Sequence, residues 1–164
     1  MNALIDLKVE TTKSINMMDH YFNFQSQLDT VLSSEITFDH GIAAFSNLCN
    51  FTFQKDDKIR PFLYMKSKEN EKVSFVCVDP FILHSSYDVK IKESQIPDPK
   101  NFKAKDYIVL CFVTLGQDLY NTTANLMSPV LINTKTLEGQ QIILDEIQTE
   151  FIRFNVWNSV SKAV

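Results

Sequence analysis

The side chains best suited to catalysis or metal binding are three histidines and three cysteines, and they are scattered along the chain. His20, His40 and His84 have no partner at the spacing of a zinc site, and we expect His40 and His84 at the surface. Neither Cys77 nor Cys111 has a histidine close by in sequence to activate it as a nucleophile. With no Gly-x-Ser-x-Gly elbow and no glycine-rich phosphate loop, the sequence predicts no catalytic, cofactor or metal site.

The cysteines and the hydropathy instead indicate a reduced, cytoplasmic protein. An odd number of widely spaced cysteines does not suit a disulfide framework. Cys77 and Cys111 lie within apolar runs, where a free thiol behaves as a small buried hydrophobe. The N-terminal stretch carries Asp6, Lys8 and Glu10, which do not suit a signal peptide, and no apolar run reaches the length of a membrane span.

The balance of charge favours a protein partner over a nucleic acid. The chain has 16 basic and 20 acidic side chains, which give it a net charge of −4. Its densest basic stretch, residues 55–72, is interrupted by aspartates and glutamates, so we expect no basic face for phosphates and no direct nucleic-acid binding. A mildly acidic protein is better suited to a basic protein partner.

The aromatic residues are numerous, with 13 phenylalanines in the chain. Phe22, Phe24, Phe51 and Phe53 alternate with polar residues, as in half-buried strands. A stacking platform for bases would need basic residues interleaved with these rings. We therefore expect all four rings to be in the core.

Alternating and continuous apolar runs predict a protein made mostly of short strands. About nine or ten candidate strands recur at a spacing of about 8–12 residues, which is typical of a sandwich or barrel. The clearest of them cover residues 5–10, 21–26, 35–38, 48–54, 61–65, 73–79, 89–92, 108–115 and 141–144. We therefore expect a mostly β, antiparallel fold in one compact domain over residues 1–164.

Two segments stand outside this strand pattern. Residues 13–20 show no clear period, which predicts a loop or an insertion. Residues 93–105 are the best helical segment, but Pro97 and Pro99 limit them to short helical turns. A short helical segment near residues 93–106 is the expected result.

Several blocks resemble the flagellar assembly factor FliW family in order and spacing. The most specific is TANLMSPVLIN at 123–133, followed by GQQIIL at 139–144. PFLYMKS at 61–67 leads into VSFVCVDPF at 73–81, and IVLCFVT at 108–114 resembles the strand before the 123–133 block. The resemblance runs from about residue 35 to residue 144, and residues 7–12 resemble the first strand of the family.

The resemblance has departures. Asp39 stands where the family usually has proline, and Ala44 where it usually has glycine. The stretch between the first two strands is longer than usual and lacks the usual glycine. Residues 1–34 and 151–164 diverge most from the family pattern.

The FliW resemblance implies a β-barrel-like cytoplasmic protein without catalytic activity or cofactor. Members bind flagellin, and many also bind CsrA, a small RNA-binding dimer that represses flagellin translation. FliW bound to CsrA prevents CsrA from holding the transcript, while newly made flagellin occupies FliW and frees CsrA to repress. This exchange is linkage by competition between two ligands.

The matched motifs have a structural and a binding interpretation. In the structural interpretation, the asparagine side chains form hydrogen bonds with the backbone of the loops, and the prolines end strands or lie at sheet edges. Phe81 is then in or near the core. In the binding interpretation, the loops at 79–81 and 123–129 lie together and form a contact surface. The candidate acidic rim residues for a basic partner are Glu69, Glu71, Asp88 and Glu93. The candidate partner-binding residues are Asp79, Pro80, Phe81, Thr123, Asn125, Pro129, Asn133, Glu69 and Glu71.

Three alternatives remain open from the sequence. The protein could be a chaperone for flagellin alone, without CsrA binding. It could be a barrel that binds a small apolar ligand, although the many phenylalanines more simply fill such a barrel. A hydrolase assembled from distant histidines is the most remote alternative.

Overall fold

Seven strands close into a barrel at the centre of the computed structural model, which describes residues 10–146 and 148–160. The described residues form eleven strands, of which seven make the barrel. They are β1 (Thr12–Ile15), β2 (Glu35–Thr37), β3 (Asn50–Lys55), β4 (Leu63–Ser67), β5 (Ser74–Val78), β6 (Val89–Lys92), β7 (Tyr107–Thr114), β8 (Thr123–Ala124), β9 (Val130–Asn133), β10 (Glu138–Gln141) and β11 (Phe154–Asn155). The barrel order is β2-β3-β4-β5-β7-β9-β10, and β10 pairs with β2 to close it. The barrel-like fold is therefore confirmed.

The closing pair differs from the predicted antiparallel pattern. Glu138 of β10 lies opposite Thr37 of β2 in a parallel register, whereas the other neighbouring strands of the barrel are antiparallel. Outside the barrel, β1 pairs with β6, and β8 joins β7 to β11.

The helices are short and lie around the barrel. They are α1 (Met17–Tyr21), α2 (Phe24–Leu32), α3 (Pro80–Leu83), α4 (Thr149–Ile152) and α5 (Trp157–Val160). Single 3₁₀ turns occur at Asp57–Ile59, Glu93–Gln95, Pro99–Asn101, Ala104–Asp106 and Leu119–Asn121. The three turns between 93 and 106 confirm the short helical segment predicted there.

The continuous apolar runs of β5 and β7 are explained by burial on both faces. Ile108 and Leu110 point into the barrel interior, while Val109 and Cys111 pack into a second apolar cluster outside it. The second cluster also holds Phe81, Tyr87 and residues of β6. A strand buried on both faces reads as a continuous hydrophobic run.

The barrel interior is filled by side chains, chiefly large aromatic and aliphatic ones. Phe38, Phe51 and Phe53 are almost completely buried, and the rings of Phe38 and Phe51 meet edge to face with centroids 5.5 Å apart. Gly139 of β10 makes room for this packing, because a Cβ there would lie 2.3 Å from Cζ of Phe38. This filling supports the structural interpretation of the phenylalanines over a ligand cavity.

The predicted strand at 21–26 is wrong, and so is the loop at 13–20. Residues 13–20 contribute to β1 and α1, and 21–26 span the end of α1 and the start of α2. The alternation around Phe22 hid a helical spacing, in which Phe24, Leu28 and Val31 place their side chains on one helix face. Asn16 and Asp19 form a capping box at the start of α1, a helix signal in the sequence.

Other differences are smaller. Phe22 is 64% exposed and not in the core, with the Nζ of Lys105 lying 5.3 Å from the centroid of its ring. The last barrel strand covers 138–141 and not 141–144, because the backbone N–H groups of Ile142 and Leu144 bond to the carbonyls of Pro129 and Met127 outside the ladder. The predicted strand at 5–10 lies outside the described residues except for Glu10, which is not in a strand.

Replacement of either buried cysteine by serine is expected to destabilise the fold by about 1–3 kcal/mol, because a hydroxyl needs a partner that a thiol does not. Cys77 and Cys111 are fully buried, as predicted, and burial raises the pKa of both thiols. Urea unfolding measures the loss. In the native protein a thiol reagent should modify the half-buried Cys49 first. Rapid labelling of Cys77 and Cys111 would contradict the burial.

Candidate functional site

Asp79 stands at the junction between β5 and α3. Its Oδ1 accepts a hydrogen bond of 2.8 Å from the backbone N–H of Phe81, and Pro80 occupies the first turn of the helix. A carboxylate at the N-cap followed by proline is a typical helix start. The Val-Asp-Pro-Phe block thus turns the chain from the barrel wall into α3.

The second oxygen of Asp79 anchors helix α1. Asp79 Oδ2 accepts hydrogen bonds from the Tyr21 hydroxyl at 2.6 Å and from His20 Nε2 at 3.2 Å. The backbone N–H of Val109 donates to His20 Nδ1 at 3.3 Å, so Nε2 is the ring nitrogen that carries the proton toward Asp79. Burial raises the pKa of Tyr21, and the negative charge and hydrogen bond of Asp79 raise it further. We call Asp79, His20 and Tyr21 the buried polar cluster.

In the 123–133 block, asparagine side chains accept hydrogen bonds from backbone N–H groups of the adjoining loops. Asn125 Oδ1 accepts from the N–H of Met127 at 3.0 Å. Asn133 Oδ1 accepts from the N–H groups of Lys135 at 2.9 Å and Thr136 at 3.2 Å, which forms the turn between β9 and β10. These are the side-chain to backbone bonds that asparagine makes in turns.

The two motif loops are brought together through Tyr87. Its ring lies 5.6 Å from that of Phe81, and its hydroxyl donates a 2.6 Å hydrogen bond to the carbonyl of Leu126. Most of the motif side chains face inward: Asp79, Pro80, Phe81 and Pro129 are buried, and Thr123 and Asn125 are half-buried. The loops therefore lie together as expected, but chiefly as a packing unit.

Glu69 and Glu71 lie at the opposite end of β5 from Asp79, in the turn that precedes the strand. Glu69 Oε1 accepts from the N–H groups of Cys49 at 3.0 Å and Asn50 at 2.9 Å. Desolvation acts to raise the pKa of Glu69, but these hydrogen bonds outweigh it, so the pKa is lowered. Glu71 is exposed. The structure does not bring these carboxylates to the motif loops.

A cleft of about 380 Å³ lies beside Asn133, at the side of the barrel where β10 meets β2. Four carboxylates and one lysine, Lys135, line it, and Tyr107 lies among them. We call this site the acidic cleft, and its defining residues are Asp39, Asp98, Asp106, Tyr107 and Glu138. Among the residues that the structure describes, none of its four carboxylates forms an ion pair.

The negative charge of the acidic cleft acts on Tyr107. Burial raises the pKa of Tyr107, and the nearby carboxylates of Asp106, Glu138 and Asp98 raise it further, while Asn133 acts in the opposite direction. The Phe102 ring lies against Tyr107 with centroids 5.1 Å apart. Aromatic rings surrounded by unpaired carboxylates are suited to lysine or arginine side chains of a partner.

Sequence reasoning missed the acidic cleft because its carboxylates are far apart in the chain. Asp39 lies after β2, Asp98 precedes the 3₁₀ turn Pro99–Asn101, Asp106 ends the turn Ala104–Asp106, and Glu138 begins β10. Of the nine predicted binding residues, only Asn133 lines it. These segments come together because the barrel closes, and no local sequence motif predicts that they are neighbours.

The histidines occupy three different environments. His40 is exposed at the edge of the acidic cleft, as expected. His84 is half-buried and not at the surface, because its ring packs against Phe151 at 5.2 Å and Phe154 at 5.9 Å. Within residues 10–146 and 148–160, no group of three histidine, cysteine or acidic side chains is arranged to hold a metal ion. None of the helices in these residues has the length and hydrophobicity to cross a bilayer.

Comparison with known proteins gives a consistent result. The family model described as FliW protein matches residues 22–153 of this chain. The flagellar assembly factor FliW of Caldicellulosiruptor saccharolyticus is 32% identical over 120 residues, which cover 73% of this chain and 78% of that protein. That of Clostridium botulinum strain Hall is 36% identical over 110 residues, covering 67% and 77%.

A solved structure is similar in fold. The crystal structure of the flagellar assembly factor FliW superposes with a TM-score of 0.64 and 24% sequence identity, covering 70% of this chain and 79% of the other. The family match begins at residue 22, so β1 and α1, with His20 and Tyr21 of the buried polar cluster, precede it.

Proposed function

The chain belongs to the FliW family of flagellar assembly factors, and on that basis we propose that it binds flagellin and antagonises CsrA by direct protein binding. In this proposal it acts in the cytoplasm, without catalysis or cofactor, and couples the level of free flagellin to flagellin translation. The observation that carries the proposal is the family match over residues 22–153.

The acidic cleft supports the CsrA half of the proposal. CsrA binds RNA, and an RNA-binding surface is rich in lysine and arginine. Carboxylates around Tyr107 that form no internal ion pair attract such a surface, because their charge is available to lysine or arginine side chains of the partner. We assign CsrA to the acidic cleft, with Asn133 at its edge. Glu69 is a weaker candidate for the rim, since its carboxylate already holds backbone N–H groups.

In this proposal the motif residues other than Asn133 stabilise the fold and do not themselves form the acidic cleft. Asp79, Pro80, Phe81, Thr123, Asn125 and Pro129 stabilise the strand ends and loops, and Glu71 contributes general negative charge. We also propose that the chain acts as one domain. Ile15 near one end of the described residues and Val156 near the other pack into the same apolar cluster.

Titration of the purified protein with flagellin from the same source tests the first half of the proposal. We expect saturable binding with a defined stoichiometry by calorimetry. Binding of flagellin without any binding of CsrA would favour the flagellin-only chaperone. Binding of neither protein would contradict the proposed function.

A further inference from the structure

A second concave surface, of opposite character to the acidic cleft, lies between α2 and the neighbouring barrel strands. It is a groove of about 350 Å³, and most of its lining is apolar. The apolar side chains that form it are Phe24, Leu28, Phe62, Leu63, Ile82 and Ile108. We call this site the apolar groove. It shares no lining residue with the acidic cleft.

The apolar groove is open to solvent and has little unsatisfied polar surface of its own. Ile82 is 41% exposed, so its side chain is accessible to a partner from the wall of the groove. The carboxylate in its wall, Asp79, already accepts hydrogen bonds from His20, Tyr21 and the backbone of Phe81. An apolar side chain can therefore enter without leaving a buried polar group unpaired.

The rim of the apolar groove is basic. Lys55 and Arg60 line both the groove and a shallower depression next to it, which also holds Lys58 and Lys66. We call these four residues the basic shelf. Of the two aspartates on the shelf, Asp56 accepts from the N–H of Lys58, and Asp57 pairs with Arg60 at 2.6 Å.

The charge of the basic shelf is only partly compensated, because its four cations face two aspartates and, among the described residues, Arg60 alone forms an ion pair, with Asp57. Lys55, Lys58 and Lys66 form no ion pair among residues 10–146 and 148–160. The chain as a whole has a net charge of −4, so this surface departs from the rest. Clustered cations beside an apolar groove favour a partner segment in which carboxylates flank an apolar side chain.

We propose that the apolar groove and the basic shelf together form the docking site for flagellin, through a flagellin segment in which an apolar side chain is flanked by carboxylates. The inference rests on the proposed function and adds to it the surface used and the chemistry of the segment bound. Helix α2, which lies within the family match over residues 22–153, contributes Phe24 and Leu28 to the groove.

The test compares flagellin binding by two groove variants and two matched controls. Ile82→Glu places a charge in the groove wall, and Lys55→Glu reverses a charge on the basic shelf. Ile152→Glu and Lys72→Glu make the same changes at exposed positions that line neither concave surface nor the basic shelf. Each groove variant should weaken flagellin binding about tenfold or more, while each control stays within about twofold of the unmodified protein.

Thermal unfolding of all four variants shows whether folding is retained, since every substituted side chain is exposed. Flagellin binding by folded Ile82→Glu and Lys55→Glu that equals the controls would overturn the docking site and leave the proposed function intact. Failure of the unmodified protein to bind flagellin would overturn both. Raising the salt concentration should also weaken binding by the unmodified protein more than binding by Lys55→Glu.

Discussion

Replacing Asp106 and Glu138 together by lysine should weaken CsrA binding by about 100-fold or more. Both carboxylates line the acidic cleft and form no ion pair within the described chain, so they are available to cations of the partner. Each reversal converts an attraction across the interface into a repulsion. Close charge pairs in interfaces have coupling energies of about 1.5–7 kcal/mol, and about 2.8 kcal/mol corresponds to 100-fold.

Calorimetric titration with CsrA measures the effect, and a second double variant controls for net charge. Glu71→Lys with Glu150→Lys changes the total charge equally at exposed positions outside the cleft. It should lower affinity only a few-fold, through long-range attraction that salt screens. Equal losses in the two double variants would mean that overall charge, and not the acidic cleft, controls CsrA binding.

The largest expected effect on stability comes from Asp79→Ala, at about 2–4 kcal/mol. The substitution leaves the buried His20 Nε2 without its acceptor, at a cost of about 1–3 kcal/mol, and it removes the acceptor of the partly exposed Tyr21 hydroxyl at a smaller cost because water can replace it. It also removes the cap of α3, which contributes about 1 kcal/mol. Urea unfolding followed by the fluorescence of Trp157, the single tryptophan, measures the change.

Tyr21→Phe is the matched control for the buried polar cluster. It removes one donor and leaves Asp79 with His20 and the backbone of Phe81, so it should cost less than half as much as Asp79→Ala. A loss below about 1 kcal/mol for Asp79→Ala would show that α1 is not anchored through this carboxylate.

The two concave surfaces explain how flagellin and CsrA could exclude each other. Tyr107 lines the acidic cleft and Ile108, the next residue of β7, lines the apolar groove. Consecutive Cα atoms are about 3.8 Å apart. A stable protein interface covers about 800 Å² on each partner, far more than the opening of either surface. Because the side chains of Tyr107 and Ile108 point to opposite faces of β7, the exclusion that we propose would arise from the parts of the two partners that extend beyond the concave surfaces, and not from shared contact residues.

The barrel strands could be predicted from the sequence because their burial is regular. In the barrel strand β3, alternating residues show one buried face, and in β7 the continuous apolar run shows two buried faces. Helix α2 is not predicted from the sequence because two patterns overlap there. Phe22 and Phe24 have the two-residue spacing of a strand, while Phe24, Leu28 and Val31 have the spacing of one helix face. Only packing against the barrel decides between the two periods.

The candidate surfaces were harder to predict than the fold. The FliW-like blocks identify residues such as Pro80, Phe81 and Pro129, which are buried and hold the strand ends. The acidic cleft and the apolar groove are formed by residues from distant segments, among them Asp39, Asp106 and Glu138 in the cleft. The spacing of these residues in the sequence does not predict the surfaces, since the residues come together only when the barrel closes.

The most direct test of the central claim is a calorimetric titration of the protein with CsrA, first alone and then with flagellin already bound. We predict saturable CsrA binding that is lost when flagellin is present, because the two partners compete for neighbouring surfaces of one molecule. CsrA binding of unchanged affinity and stoichiometry in the presence of saturating flagellin would contradict the partner exchange.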